Sequence, residues 1–242
     1  MNKRRVDKKP KIKKTSQSKI GRGLTVRVKS ARGRKPSSTR WLQRQLNDPY
    51  VLAAQRSGLR SRAAFKLEDL DKKFKILKPN MRVIELGAAP GGWTQILVNR
   101  LGAENLNTKN KIVAIDLLEM DPIPGAKILQ LDFMSNDSVK IIKEALGGKA
   151  DLVLSDMAPK ITGHSGTDHL RIMELTQTAY NFAKDVLTNG GCFVSKVFQG
   201  GTEKNLLDEM KRSFEQVRHA KPPSSRTGSS EMFVVAKNYR KI

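Results

Sequence analysis

Lys196 interrupts the run Cys192-Phe-Val-Ser-Lys-Val-Phe198, which is otherwise written as a buried strand. A lysine in such a place must be paired with an acid or have its proton affinity changed by burial. Three other polar residues fall where they could meet it. Asp156 follows the apolar run at 150–155, Glu231 opens the apolar run at 232–236, and Lys66 lies in a helical pattern upstream. If the last strand runs antiparallel to the rest, its first residue shares a sheet edge with the last residues of the parallel strands, and the four groups converge. Two lysines and two carboxylates at one point can orient a hydroxyl and handle its proton. They can equally form a structural ion-pair network, and spacing alone does not separate the two.

A second cluster surrounds the loop Gly87-Ala-Ala-Pro-Gly-Gly-Trp93. Its glycines let the backbone approach a ligand, and the helix start that follows favours a negative group. The spacing Gly-x-x-x-Gly-Gly is neither the dinucleotide fingerprint nor a P-loop. Asp116 closes the run Lys111-Ile-Val-Ala-Ile-Asp, a position from which an acid takes ribose hydroxyls, and Asp132 stands where a carboxylate can accept from an adenine amino group. Together these residues describe an adenosine pocket without a triphosphate cradle, which S-adenosylmethionine fits. A glycine-rich turn beside ordinary strand-end acids is the plainer alternative on spacing alone.

Both clusters need a scaffold that gathers strand ends. From Trp41 onward helical and strand-like segments alternate, the pattern of a mostly parallel sheet covered by helices. Periodicity predicts helices at 59–74 (opened by Ser61), 94–101, 137–146, 168–187 (stopped by Gly190-Gly191) and 203–212, and strands at 81–86, 111–116, 126–130, 150–155, 191–197, 216–219 and 232–236. The expectation is an α/β, Rossmann-like fold with about seven strands, the last antiparallel.

Composition narrows the classes. The 242 residues carry 46 Lys+Arg against 23 Asp+Glu, a formal charge of +23, which calls for a polyanionic partner such as nucleic acid. Residues 1–40 hold 16 of the basic residues and one acid, Asp7. We read 1–37 as a basic, disordered RNA-binding arm and 38–242 as the folded domain, with a solubility tail or a transit peptide as alternatives for the arm. One cysteine excludes an internal disulfide, and three scattered histidines have no metal-ligand spacing. No apolar run reaches the ~20 residues of a membrane span, so the expectation is a soluble, cytoplasmic protein with no membrane partner.

Four stretches carry a family resemblance: Leu-Arg-Ser-Arg-Ala-Ala-Phe-Lys-Leu at 59–67, Glu-Leu-Gly-Ala-Ala-Pro-Gly-Gly-Trp-Thr-Gln at 85–95, Ser-Asp-Met-Ala-Pro at 155–159 and Lys-Val-Phe-Gln-Gly at 196–200. In this order they resemble the FtsJ/RrmJ family of ribose 2′-O-methyltransferases, from about Ser38 to the end of the chain. The resemblance implies a class I S-adenosylmethionine-dependent methyltransferase domain that methylates a uridine ribose of large-subunit ribosomal RNA, on the assembled or nearly assembled subunit. S-adenosylhomocysteine would be the product. It assigns Lys66, Asp156, Lys196 and Glu231 to catalysis and Gly91, Trp93, Asp116, Asp132 and Asp156 to the cofactor. No metal is expected, because the leaving thioether is neutral, and a monomer is the default for so large a substrate.

The chain also departs from the family pattern. Gly228 and Ser230 stand where arginines are expected, Glu85 replaces an aspartate, Ala64 an aromatic residue and Lys160 an asparagine. Arg60, Arg62 and the loop Ser224-Ser225-Arg226 are candidates to face RNA, and Trp93 to serve as both core and cofactor wall. Two other readings stay open: a tRNA or cap ribose methyltransferase, and a ribosome-assembly factor that retains the fold without turnover.

Overall fold

The computed structural model describes residues 26–28, 33, 35–103, 111–135, 137–159, 162–200 and 204–241. Most of the expected arm, and Lys160, lie outside these. The chain divides into two compact units, Met1–Pro49 and Tyr50–Ile242.

In the first unit, α1 (Pro36–Leu46) starts on a proline, whose fixed φ suits the first helical turn. It buries no residue, so periodicity had little apolar signal to reveal it. Its Gln43 and Asn47 side chains grip the backbone of the 26–28 segment. Val26 N–H donates to Asn47 Oδ1 (2.8 Å), Asn47 Nδ2 donates back to Val26 O (2.9 Å), and Val28 N–H donates to Gln43 Oε1 (3.1 Å).

The second unit is built on one sheet. Its strands are β1 (Arg82–Leu86), β2 (Lys111–Asp116), β3 (Lys127–Gln130), β4 (Ala150–Ser155), β5 (Leu187–Phe198), β6 (Phe214–Ala220) and β7 (Glu231–Tyr239). They lie in the order β3-β2-β1-β4-β5-β7-β6, all parallel except β7, which is antiparallel to both neighbours. The helices are α2 (Pro49–Arg56), α3 (Ala64–Phe74), α4 (Gly92–Leu101), α5 (Ser138–Leu146), α6 (Ser165–Val186) and α7 (Lys204–Ser213). Alternate residues of the central strands feed two cores. Ile84, Val153 and Phe193 pack with α5 and α6 on one face, and Val83, Leu152 and Val194 pack with α3 and α4 on the other. Cys192 is buried there, and burial pushes its thiol up to about 12. Among the described residues no helix is long and apolar enough to cross a membrane.

Several boundaries differ from the sequence reading, two of them informatively. Helix α3 starts at Ala64, not Leu59, and Ser61 does not cap it, because residues before Ala64 form turns that bind other loops. Gly190-Gly191 does not stop α6, which ends at Val186. The glycines lie inside β5, where the register against β4 shifts between Ala150 and Leu152 and Gly190 takes φ +79°. A bulge uses glycine for the same conformational reason that a helix stop does, so the pair alone could not tell one from the other.

Candidate active site

Pairing of β5 with β7 sets the geometry. Lys196 lies opposite Phe233 and Phe198 opposite Glu231, so Glu231 is the diagonal neighbour of Lys196 on the same sheet face. Lys196 Nζ lies 2.6 Å from Asp156 Oδ1 and 3.7 Å from Glu231 Oε2, and donates to the Asp156 carbonyl at 2.7 Å. Lys66, one turn into α3, reaches Glu231 with Nζ at 2.7 Å from Oε1 and 2.8 Å from Oε2. Both lysines are buried. Burial pushes the Glu231 carboxyl upward, but the flanking ammonium groups of Lys66 and Lys196 outweigh it and hold the acid below its ordinary range. The four sequence-selected residues therefore form one continuous array, Lys66–Glu231–Lys196–Asp156.

Two hydroxyls fix Glu231 further. Ser225 Oγ donates to its Oε1 (3.3 Å), and its own N–H donates to Ser229 Oγ (3.2 Å). The turn carrying Ser225 is fastened to α3, since Ser224 N–H donates to Asp69 Oδ2 (2.9 Å) and Arg62 Nη2 donates to the Ser224 carbonyl. Ser224 and Ser225 are buried, so the expected RNA-facing loop turns its serines inward. Arg60 is also committed internally, donating to the carbonyls of Pro90 (3.3 Å), Asp121 (2.8 Å) and Pro122 (3.0 Å).

Beside the array, a cavity of about 380 Å³ opens at the carboxyl ends of β1, β2 and β4. Asp116, Asp132 and Asp156 line it, as does the glycine loop through Gly87 and Ala89. Asp116 shapes that loop, accepting from Ala89 N–H (2.8 Å) and Leu118 N–H (2.9 Å), while Asp132 accepts from Met134 N–H (2.9 Å). Gly87 has φ +75°, and a Cβ on it would lie 2.7 Å from Met157 Cγ and 2.9 Å from Met157 N. The remaining wall is apolar, and Leu117, Leu118 and Met134 are more than half exposed. A flat, partly apolar ligand with hydroxyl or amino groups to donate matches this lining.

The structure does not bring Gly91 or Trp93 into the lining. Gly91 is the left-handed cap of α4, with Arg60, Met120 and Ile123 around it. The Trp93 indole is core, donating Nε1–H to the Ala63 carbonyl (2.7 Å) and packing on Phe233 with ring centroids 5.6 Å apart. Of the two roles expected of Trp93, packing is the one that its side chain performs here.

Sequence reasoning did not assign Ser225, Arg60 or Glu85 to this site. Glu85 lies at the end of β1 behind the loop, fully buried, and accepts from Thr94 Oγ1 at 2.7 Å. Burial pushes its carboxyl up to about 8. The Thr94 hydrogen bond opposes that, and the nearby carboxylates of Asp156 and Asp116 reinforce it. An acid in a segment written as buried strand was the available signal for Glu85, the same one that singled out Lys196.

Residues 59–239 match the profile described as FtsJ-like methyltransferase. A "Ribosomal RNA large subunit methyltransferase E" of Paramagnetospirillum magneticum is 61% identical over 219 residues, 90% of either chain, and one of Rhodospirillum rubrum is 58% identical over 90% of this chain and 83% of its own. A solved Plasmodium falciparum protein described as a ribosomal RNA methyltransferase superposes with a TM-score of 0.65 at 35% identity, covering 74% of this chain and 98% of its own.

Proposed function

The chain belongs to the FtsJ-like methyltransferase family, and from that premise we propose that it methylates large-subunit ribosomal RNA, transferring the methyl group of S-adenosylmethionine to the 2′-hydroxyl of a uridine ribose. The observation that carries this reading is the array Lys66–Glu231–Lys196–Asp156 standing beside a cavity walled by Asp116, Asp132 and Asp156.

Of the residues lining the cavity, Asp116 would accept from ribose hydroxyls and Asp132 from an exocyclic amino group, and Leu117, Leu118, Phe133 and Met134 would offer apolar surface to a base. The cofactor supplies an electrophilic methyl on a sulfonium, whose leaving group is neutral. The protein's task is to align the ribose hydroxyl and stabilise negative charge on its oxygen. Lys196 is built for that. Its amino group engages the Asp156 carboxylate and carbonyl and lies 3.7 Å from Glu231, a longer contact that lets an N–H turn toward the hydroxyl oxygen. Glu231 stays ionised between the lysines, and Lys66 holds it from the far side. The hydroxyl proton passes to water as the oxygen attacks, so negative charge develops on that oxygen in the transition state. The basic arm at 1–37 adds phosphate contacts that are sequence-blind and salt-sensitive.

The test is methyl transfer from labelled S-adenosylmethionine to purified large subunits, free ribosomal RNA and tRNA, followed by nucleoside analysis. Label in a 2′-O-methyluridine of the large subunit, lost in Lys196→Ala, is the expected result. Label confined to tRNA would replace the substrate, and particle binding without label would replace the reaction.

A further inference from the structure

Trp41 is 50% exposed, on a helix that buries no residue. Ser37, Ser38 and Arg44 lie one helical turn from it, and with Leu42 they line an open depression of about 540 Å³. The opposite face of α1 is already occupied, because Gln43 and Asn47 hold the 26–28 segment there. The helix contains no acid, and its Arg40 and Arg44 have no ion-pair partner among the described residues. The same segment of chain, residues 1–40, carries 16 basic residues against one acid.

These features select one kind of occupant. A flat indole in water is a stacking surface for another π-system, and the neighbouring guanidinium and hydroxyls suit a phosphate and a ribose. A lipid surface would need a continuous apolar stripe, whereas two serines and an arginine, with a single leucine, Leu42, line the depression beside Trp41. We infer that the first unit carries a single-stranded RNA site, in which Trp41 stacks on an unpaired base and Arg44 pairs with the adjoining phosphate. This rests on the reading of the chain as an RNA methyltransferase and extends it. The arm supplies charge without regard to pairing, and Trp41 adds a demand for an unstacked base.

The chain offers its own probe, since it has two tryptophans and the other, Trp93, is 2% exposed with its N–H satisfied. The experiment follows tryptophan emission of the full chain during titration with an oligoribonucleotide of about ten unpaired nucleotides, and with the same strand paired into a duplex. Binding is measured in parallel by anisotropy of the labelled RNA. The single strand should quench the exposed component, the duplex should quench it far less, and Trp41→Phe should abolish the signal while keeping the affinity. Trp41→Ala should weaken single-strand binding about five-fold or more and raise KM for RNA without changing kcat or KM for S-adenosylmethionine. RNA bound with no change in emission, or equal quenching by duplex, overturns the stacking site while methyl transfer still supports the enzyme reading. Absence of both RNA binding and methyl transfer in the unaltered chain overturns that reading and the site with it.

Discussion

Lys196 and Asp156 are joined twice, through the side-chain carboxylate at 2.6 Å and through the backbone carbonyl at 2.7 Å. The double attachment holds the amino group at the end of β4 even when the carboxylate is altered. Asp156→Asn should therefore retain a positioned lysine, whereas Lys196→Ala removes the group itself. We expect Lys196→Ala to lower kcat by roughly 10²- to 10³-fold, the cost typical of losing one preorganised donor, with KM for S-adenosylmethionine changed little. Single-turnover methyl transfer measures it. A Lys196→Ala enzyme within a few-fold of the unaltered rate would remove Lys196 from the chemistry.

Lys66 and Glu231 form a largely buried pair, with side chains 11% and 15% exposed. Removing one partner strands the other, so Lys66→Met or Glu231→Gln alone should destabilise the fold by about 3 kcal/mol, while the double variant should recover much of that loss. Activity should not recover, because the array is still broken. Urea unfolding of the four proteins, with methyl transfer assayed on each, separates the structural contribution of the pair from its functional one.

Acid and alkali should act on different residues. The folded-state acidity of Glu231 is strengthened, so its contribution to stability is present above the ordinary carboxylate range and lost as pH falls through its lowered value. Glu85 has the opposite sign. Its carboxyl is raised from 4.5 to about 8, so its contribution is complete below 4.5 and declines as pH rises through the interval to about 8. The slope from Glu85 cannot exceed about 1.4 kcal/mol per pH unit. Glu85→Gln keeps the shape and the Thr94 contact but cannot ionise, so it should flatten the decline between pH 4.5 and about 8. Thermal unfolding across that interval decides it, and parallel curves for the two proteins would place the ionisation elsewhere.

Gly87→Ala should weaken cofactor binding sharply. The residue has φ +75°, and an added Cβ would strike Met157 at 2.7 Å from its side chain and 2.9 Å from its backbone nitrogen. Relief would have to move the end of β4, where Asp156 begins. Calorimetric titration with S-adenosylmethionine should show affinity reduced at least about 100-fold, because both strain and a displaced wall act on one pocket.

Arg60 ties the glycine loop to residues 121–122 through three carbonyls. Arg60→Ala should raise KM for S-adenosylmethionine about ten-fold, in keeping with the loss of charge-assisted hydrogen bonds, and leave RNA affinity nearly unchanged. A loss of RNA affinity alone would instead restore the phosphate-contact reading of this arginine.

What the chain declares locally was legible: an apolar run ending in an acid, a lysine inside a strand, glycines between a strand and a helix. Those signals placed Lys66, Asp156, Lys196 and Glu231 at one edge, and Asp116 and Asp132 at the mouth of a pocket. They are legible because periodicity and strand-end position depend on residues a few apart. Tertiary structure alone decided the rest. The Trp93 ring packs on Phe233 through the placement of α4 against β7, and Arg60 meets three carbonyls, at Pro90, Asp121 and Pro122, that lie 30, 61 and 62 residues along the chain. Ser225 meets Glu231 because Asp69 and Arg62 fasten its turn to α3 across more than 150 residues of sequence. Such contacts are settled by the packing of whole elements, which no local pattern encodes.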